Sequence, residues 1–454
     1  REFDVTKKAF VAKGFNIPEG KHRIEWLDKD TLLVATDFGA GSLTDSGYPR
    51  IVREWRRGTP LADAVTVFEG QKEDVASGAA VIDSGGHHHE MVRRAVTFYS
   101  GENWLRVDGA FQRLNVPDDA QLSLWHDQLA IELRSDWAIG GEVHPGGALL
   151  VIGLADFLAG QRSFQSLYTP GPRKSLAGMT PLKTALIINE LDNVRSRLYL
   201  LKPVDGRWTR TPIEAPAFGA LGASAVDEDD SDDYWLTVTD FLTPTSLYLA
   251  TAGKPGRELL KSLPSYFDAQ GLEITQHQVK SKDGTRVPYF QVSRKGLKLD
   301  GRNPTLLYGY GGFEVSMQPS YSAGLGASWL ERGGVYVLAN IRGGGEFGPG
   351  WHQAAVRQDK QRSLLVQSAY ASLFRAFEQQ PRRSDIADRE QALGARQQPR
   401  EFVRVVETED AAERNSGDLG IADRELHLVV AVYHGDDLAQ RCRRKFYASL
   451  PPGE

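Results

Sequence analysis

Leu306-Leu307-Tyr308-Gly309-Tyr310-Gly311-Gly312-Phe313 and, further on, Val335-Tyr336-Val337-Leu338-Ala339-Asn340-Ile341-Arg342-Gly343-Gly344-Gly345-Glu346-Phe347-Gly348 decide the fold. Each is a short apolar run that breaks into glycine at its C-terminal end. Buried parallel strands read this way where they end at the working edge of an α/β sheet. Glycine there lets backbone approach a ligand or turn at positive φ. In open α/β sheets ligands sit outside the carboxyl ends of the strands. Spacing alone leaves a second reading open, two tight turns after two core strands.

Between the two runs, Trp329-Leu330-Glu331-Arg332-Gly333-Gly334 reads as a helix end with a glycine stop. Strand, helix, strand predicts a parallel pair and an α/β domain. Just upstream, Lys280-Ser281-Lys282-Asp283-Gly284-Thr285-Arg286-Val287-Pro288-Tyr289-Phe290-Gln291-Val292 reads as a hairpin with Asp283-Gly284 in its turn.

Residues 1 to about 270 read differently, as short strands entered from polar turns. Asp30–Asp37, 127–133, 183–190 and Asp233–Asp240 share that pattern. The last two are each followed by a second strand, 197–201 and 246–250. Units about 50 residues apart are the mark of propeller blades with four strands each, and this length holds about five of them. An irregular β-sandwich is the alternative.

The totals restrict function. With 454 residues, several domains are expected. A net charge of −5 and no basic stripe argue against nucleic acid and anionic membranes as partners. No apolar run approaches the roughly 20 residues that span a bilayer. One cysteine, Cys442, excludes an internal disulfide framework and permits a reducing compartment. The chain opens on Arg1-Glu2-Phe3-Asp4-Val5, which reads as the middle of a strand, so the expectation is of a chain that starts inside a domain. Cytoplasm is favoured and periplasm stays open, because no targeting segment can be judged from such a start.

No metal site is expected. Successive residues on a strand face opposite ways, so His87-His88-His89 cannot all face one ion, and a solvated loop is the expectation. Asp227-Glu228-Asp229-Asp230-Ser231-Asp232-Asp233 lacks the glycine and closing glutamate of a calcium loop and reads as an exposed inter-strand turn. Arg53–Pro60, basic and aromatic, reads as a loop at a blade edge.

Tyr308–Phe313, Asn340–Gly348 and Trp351-His352 resemble the prolyl oligopeptidase family of serine peptidases. Ser281–Thr285 with Val287-Pro288 resembles that family's entry into its catalytic domain. Gly41-Ser42-Leu43-Thr44-Asp45-Ser46-Gly47-Tyr48-Pro49-Arg50 and Trp55-Arg56-Arg57-Gly58-Thr59-Pro60-Leu61 resemble its propeller. The resemblance covers roughly residues 1 to 363. It implies a partial β-propeller (residues 1–270, N-terminally incomplete, about five blades of a seven-bladed type) followed by an incomplete α/β-hydrolase domain (residues 271–454). It implies hydrolysis of short peptides, typically after proline, by Ser, Asp and His, without a cofactor, by a monomer. Tyr310 matches the tyrosine whose hydroxyl forms half of the oxyanion hole. Such a donor is worth about 2.7–4 kcal/mol where one has been removed. Phe313 matches an aromatic lining the substrate pocket, and an aromatic face suits the proline ring.

After Ser363 the resemblance stops. No Gly-x-Ser-x-Gly elbow occurs anywhere in the sequence. All nine Trp lie at or before Trp351, and Gln and Arg crowd together in 378–383 and 395–400. The expectation is a frameshifted or degraded gene beyond Ser363. His434-Gly435-Asp436-Asp437-Leu438 faintly resembles the segment of the triad aspartate, which makes Asp436 the candidate to orient a catalytic histidine. The family's arginine two residues later is Leu438 here, and a solvated turn is the alternative. Neither a nucleophilic serine nor a triad histidine is found. Without the strand, elbow and helices that follow, the two glycine-ended strands are expected to expose edges.

Three functions remain: a serine oligopeptidase by descent, inactive as written; a catalytically dead propeller that binds peptides or protein partners; and a propeller glycosidase with paired carboxylates. The glycine-ended strands argue against the third.

Overall fold

The computed structural model describes residues 1–215, 219–298, 303–356, 359, 362, 402–408 and 427–433. After a short hairpin of Phe3–Asp4 with Ala9–Phe10, the described residues form five four-stranded sheets, each made of strands that follow one another in sequence. The first is Arg23–Asp28, Thr31–Ala35, Ile51–Arg56 and Val65–Glu69; the second is Ala76–Ser84, His87–Ala95, Gly101–Val107 and Ala110–Arg113. The third is Gln121–Trp125, Gln128–Glu132, Leu149–Gly153 and Gln165–Tyr168, with the hairpin Trp137–Ile139 and Glu142–His144 looped out of it. The fourth is Lys174–Pro181, Leu186–Asp192, Arg195–Val204 and Arg207–Pro212; the fifth is Ala220–Ala225, Asp233–Thr239, Ser246–Thr251 and Glu258–Ser262. Pairing within them is antiparallel.

The four apolar runs that recur in the sequence are each the second strand of a sheet. A second strand has neighbours on both sides and packing on both faces, so it reads as continuous apolar text. In Thr31–Ala35 alternate residues enter two cores. Leu32 and Val34 join Phe15 and Trp55, while Leu33 and Ala35 join Ala79 and Val92 of the second sheet. Period two accounts for both sets.

The histidine run corrects one expectation. His87-His88-His89 opens the second strand of the second sheet rather than a loop. The His87 and His89 rings stack at 5.9 Å on one face, and His88 Nδ1 lies 2.6 Å from Asp83 on the other. Arg53 to Arg56 likewise belong to a strand, and only Arg57–Pro60 turn. Asp227–Asp233 is an inter-strand turn, closed by the Ser231 amide on Asp227 O at 3.2 Å.

From Leu272 the sheet type changes. We label the strands of this sheet β1 (Leu272–Lys280), β2 (Arg286–Arg294), β3 (Thr305–Gly309), β4 (Val335–Ala339), β5 (Phe402–Thr408) and β6 (His427–Tyr433). Their order is β1-β2-β4-β3-β6-β5. β3 and β4 run parallel, as the strand–helix–strand pattern predicts; the other neighbours run antiparallel. The connection from β3 to β4 passes through a helical turn, Ala323–Leu325, continued as a π-helix, Gly326–Leu330. It stops at glycine: the amides of Gly333 and Gly334 donate to Leu330 O and Trp329 O. A short helix, α1 (Pro349–Gln353), follows the glycine-rich turn after β4. β3 is not an exposed edge, because β6 pairs with it on the side away from β4.

By compactness the chain divides into two units. One holds Arg1–Thr169 with Asp205–Trp208 and Glu228–Asp230; the other holds Pro170–Val204, Thr209–Asp227 and Ser231–Glu454. The second therefore contains most of the last two four-stranded sheets together with the six-stranded one. Its core is again set by alternation. Val287 and Tyr289 of β2 pack with Val335, Val337 and Ala339 of β4 on one face. Phe290, Val292 and Leu338 pack with Val194, Phe241, Phe267 and Trp329 on the other.

Candidate functional site

β3 and β4 are parallel, so their C-terminal ends lie at one edge of the sheet. Tyr310 is the first residue past β3 there, and it is half-buried. The chain then turns sharply. Gly311, Phe313 and Glu314 take φ of 61°, 49° and 59°. Left-handed backbone is rare for a bulky residue such as phenylalanine and costs about 1–3 kcal/mol, a strain found preferentially at functional sites.

The glycine-rich turn after β4 holds this strained segment. Gly343 has φ of 100°, and a Cβ there would strike the Gly311 carbonyl. A Cβ on Gly311 would sit 2.6 Å from Ile341 Cγ1 and 2.8 Å from Arg342 O. The two glycines thus let the two strand ends meet backbone to backbone. The Glu314 amide donates to Gly343 O at 3.2 Å. His352, buried on α1, places Nδ1 2.6 Å from Gly343 O and 3.1 Å from the Glu314 nitrogen. With its proton on Nε2 the ring accepts from the Glu314 amide, and with its proton on Nδ1 it donates to Gly343 O.

Two polar residues just past β4 tie the turn down. Arg342 is buried; its Nη1 donates to Asp283 and to Thr285 Oγ1 (3.2 Å), and its Nη2 to Ser281 Oγ (3.2 Å) and Arg362 O (2.9 Å). The Asp283 hairpin and the β4 turn are therefore one assembly. Burial alone would raise the Asp283 carboxyl, but the Arg342 guanidinium with the Thr285 amide and hydroxyl holds it well below the usual range. Asn340 donates from Nδ2 to Met317 O at 2.7 Å and to Glu346 Oε1 at 3.3 Å. Glu346 Oε1 also accepts from the Met317 amide at 3.0 Å. Glu346 is fully buried, and burial pushes its carboxyl up to about 7 against the pull of its own amide, the Met317 amide and Asn340. From the fourth sheet, Ser175 Oγ donates to Glu346 O at 3.0 Å.

Tyr310 and Phe313 thus lie together at one sheet edge, on a strained, clamped segment. Asp436 lies outside the described residues. β6 ends beside the start of β3, with Val432 opposite Thr305, at the end of the sheet away from Tyr310. Asn340, Arg342, Glu346 and His352 stand in the quoted motifs, but the sequence reading gives them no role. Their signal is polar side chains crowded immediately past a buried strand. No group of three or more His, Cys, Asp or Glu suited to a metal ion occurs among the described residues.

Comparisons with known proteins converge. The model of the prolyl oligopeptidase family matches residues 319–376, past Ser363, where the sequence reading puts the end of the resemblance. An uncharacterized peptidase of Sinorhizobium fredii is 39% identical over 376 residues, covering 80% of this chain and 51% of that protein. A prolyl endopeptidase of Elizabethkingia miricola is 36% identical over 148 residues, 33% of this chain and 21% of that protein. The structure of a post-proline cleaving enzyme from Rickettsia typhi aligns with TM-score 0.75 and 30% identity over 83% of this chain and 57% of that one. The chain spans about half the length of the curated relatives that match most of it.

Proposed function

The chain belongs to the prolyl oligopeptidase family, and from that membership we propose that it is part of a serine-type oligopeptidase acting on short peptides, with cleavage after proline. The observation that carries this is the clamped strand end, with Tyr310 and Phe313 on one strained segment at the carboxyl edge of β3 and β4. In this reading Tyr310 donates to the developing oxyanion and Phe313 receives the proline ring. The five four-stranded sheets are blades of a propeller that admits peptides and excludes folded proteins, and the sheet from Leu272 is the hydrolase half.

The same reading makes the 454-residue chain inactive. It holds the oxyanion donor but no Gly-x-Ser-x-Gly elbow to carry the nucleophile. That absence favours a second function for the chain as it stands, a propeller protein that binds peptides without cleaving them. Two assays on the purified chain test both. A fluorophosphonate probe is expected to leave it unlabelled, and labelling refutes inactivity. A short fluorescent peptide containing proline is expected to bind more tightly than its alanine analogue, with Phe313→Ala weakening the difference. Equal binding of the two peptides refutes the proposed specificity.

A further inference from the structure

Glu346 is fully buried in the turn after β4, where a charged carboxylate would need a cation or several donors. It has neither. Oε1 takes both donors, Met317 N and Asn340 Nδ2, and Oε2 is buried with no hydrogen-bond partner. The charged and titratable groups on the surrounding elements turn elsewhere. Arg342 on the same turn serves Asp283, Thr285 and Ser281, and His352 on α1 meets Gly343 O. On the fourth sheet, Lys174 pairs with Glu190, and Arg173 lies over the Phe347 ring at 5.4 Å and donates to Gln278. On the facing segment Glu314 contributes its backbone, not a cation. Glu346 forms no ion pair among the described residues. Oε2 and the Val315 carbonyl share one side of Gly344. The site of a Gly344 side chain is flanked by Glu346 Oε2 and, at 2.8 Å, by Val315 O. A carbonyl can be used only by a carboxyl that carries a proton.

We propose that Glu346 is a positioning residue that works as a neutral carboxylic acid, its Oε1 accepting from Met317 and its protonated Oε2 directed at the Val315 carbonyl, so that loss of one proton unlatches the segment carrying Tyr310 and Phe313. The latch joins the exit of β4 to the far end of that segment, and Asn340 completes it through Met317 O. Burial sets the titration near neutrality, at about 7 against an ordinary 4.5. The sign follows from linkage. The closed segment binds the proton more tightly than the open one, so closure is favoured at low pH and is lost as pH rises, up to the folded value. For one such group the open population rises about tenfold between pH 6 and pH 8 and levels off above that. The latch involves no nucleophile and no substrate, so it stands apart from the peptidase reading.

The test is hydrogen exchange by mass spectrometry on the intact chain, corrected for intrinsic rates, for peptides spanning 311–318 and 340–346. The wild type is expected to lose about tenfold protection between pH 6 and pH 8. Glu346→Gln, which keeps a neutral donor and acceptor, is expected to stay level. The same pH dependence in both proteins overturns the proposal, as does constant protection in the wild type. If Glu346→Gln does not fold, pH-difference infrared spectra of the wild type decide. A protonated-carboxyl band lost between pH 6 and pH 8 supports the latch, and its absence overturns it.

Discussion

Replacing Gly343 by alanine tests the claim that the two strand ends meet backbone to backbone. Gly343 holds φ of 100°, where a side chain is strained, at about 1–3 kcal/mol. The new Cβ would also strike the carbonyl of Gly311, which is backbone and not the far end of a flexible side chain. Overpacking of this kind adds about 1–3 kcal/mol. The sum is about 2–6 kcal/mol, enough to open the site edge. Gly350→Ala is the internal control. Gly350 lies in α1 with no positive φ and no neighbouring atom within 4 Å of where the alanine methyl would sit. Alanine there is expected to be neutral or stabilising by up to about 1 kcal/mol. Because the chain forms two compact units, one global transition is a poor readout. Local opening energies from native-state hydrogen exchange of the β3 and β4 amides report the site edge directly. A Gly343→Ala effect below about 0.5 kcal/mol, or one equal to that of Gly350→Ala, would refute the reasoning.

Further outcomes follow from the same geometry. Arg342→Ala removes donors from Asp283, Thr285 and Ser281, and is expected to lower the opening energy of the β2 and β4 amides by about 2 kcal/mol or more, measured by native-state hydrogen exchange. Asp283, held below its ordinary 3.8, contributes stability that is present above that value and lost as pH falls below it. The gap between wild type and Asp283→Asn should therefore close in acid, and a gap unchanged down to pH 3 counts against the pairing. Phe290→Ala empties a fully buried site in the core shared with Phe241 and Trp329 and is expected to cost about 3–5 kcal/mol by the same exchange measurement. An Asn340→Leu variant keeps the volume but takes a donor from Met317 O, and should loosen residues 313–318 in hydrogen exchange while leaving β1 and β2 protected.

Much of this architecture was legible because burial on both faces writes itself as continuous apolar text. The second strands of four sheets were readable for that reason. The second strand of the second sheet, His87–Ala95, was not, because its fully buried residues are only Met91 and Val92 and the rest are histidine, glutamate, arginine and alanine. The parallel pair β3–β4 was legible from the glycine stop between them, whereas the antiparallel return of β6 onto β3 had no local signal. Tyr310 and Phe313 were found through motif. The clamp around them was not, since a glutamate inside a glycine run reads as solvent-facing until Met317 and Asn340 are seen to close over it.

The order of strands also bears on how the chain reaches this state. Each four-stranded sheet is made of neighbours in sequence, so each can close over short loops while later residues are still being synthesised. The six-stranded sheet cannot. β2 must wait for β4 to arrive from beyond β3, and β3 for β6, which lies more than a hundred residues downstream. During that interval β3 pairs with β4 on one side only, and its other edge stands open. The last edge to close is therefore that of the strand that carries Tyr310 at its end, and that open edge is where chaperone binding or aggregation would intervene.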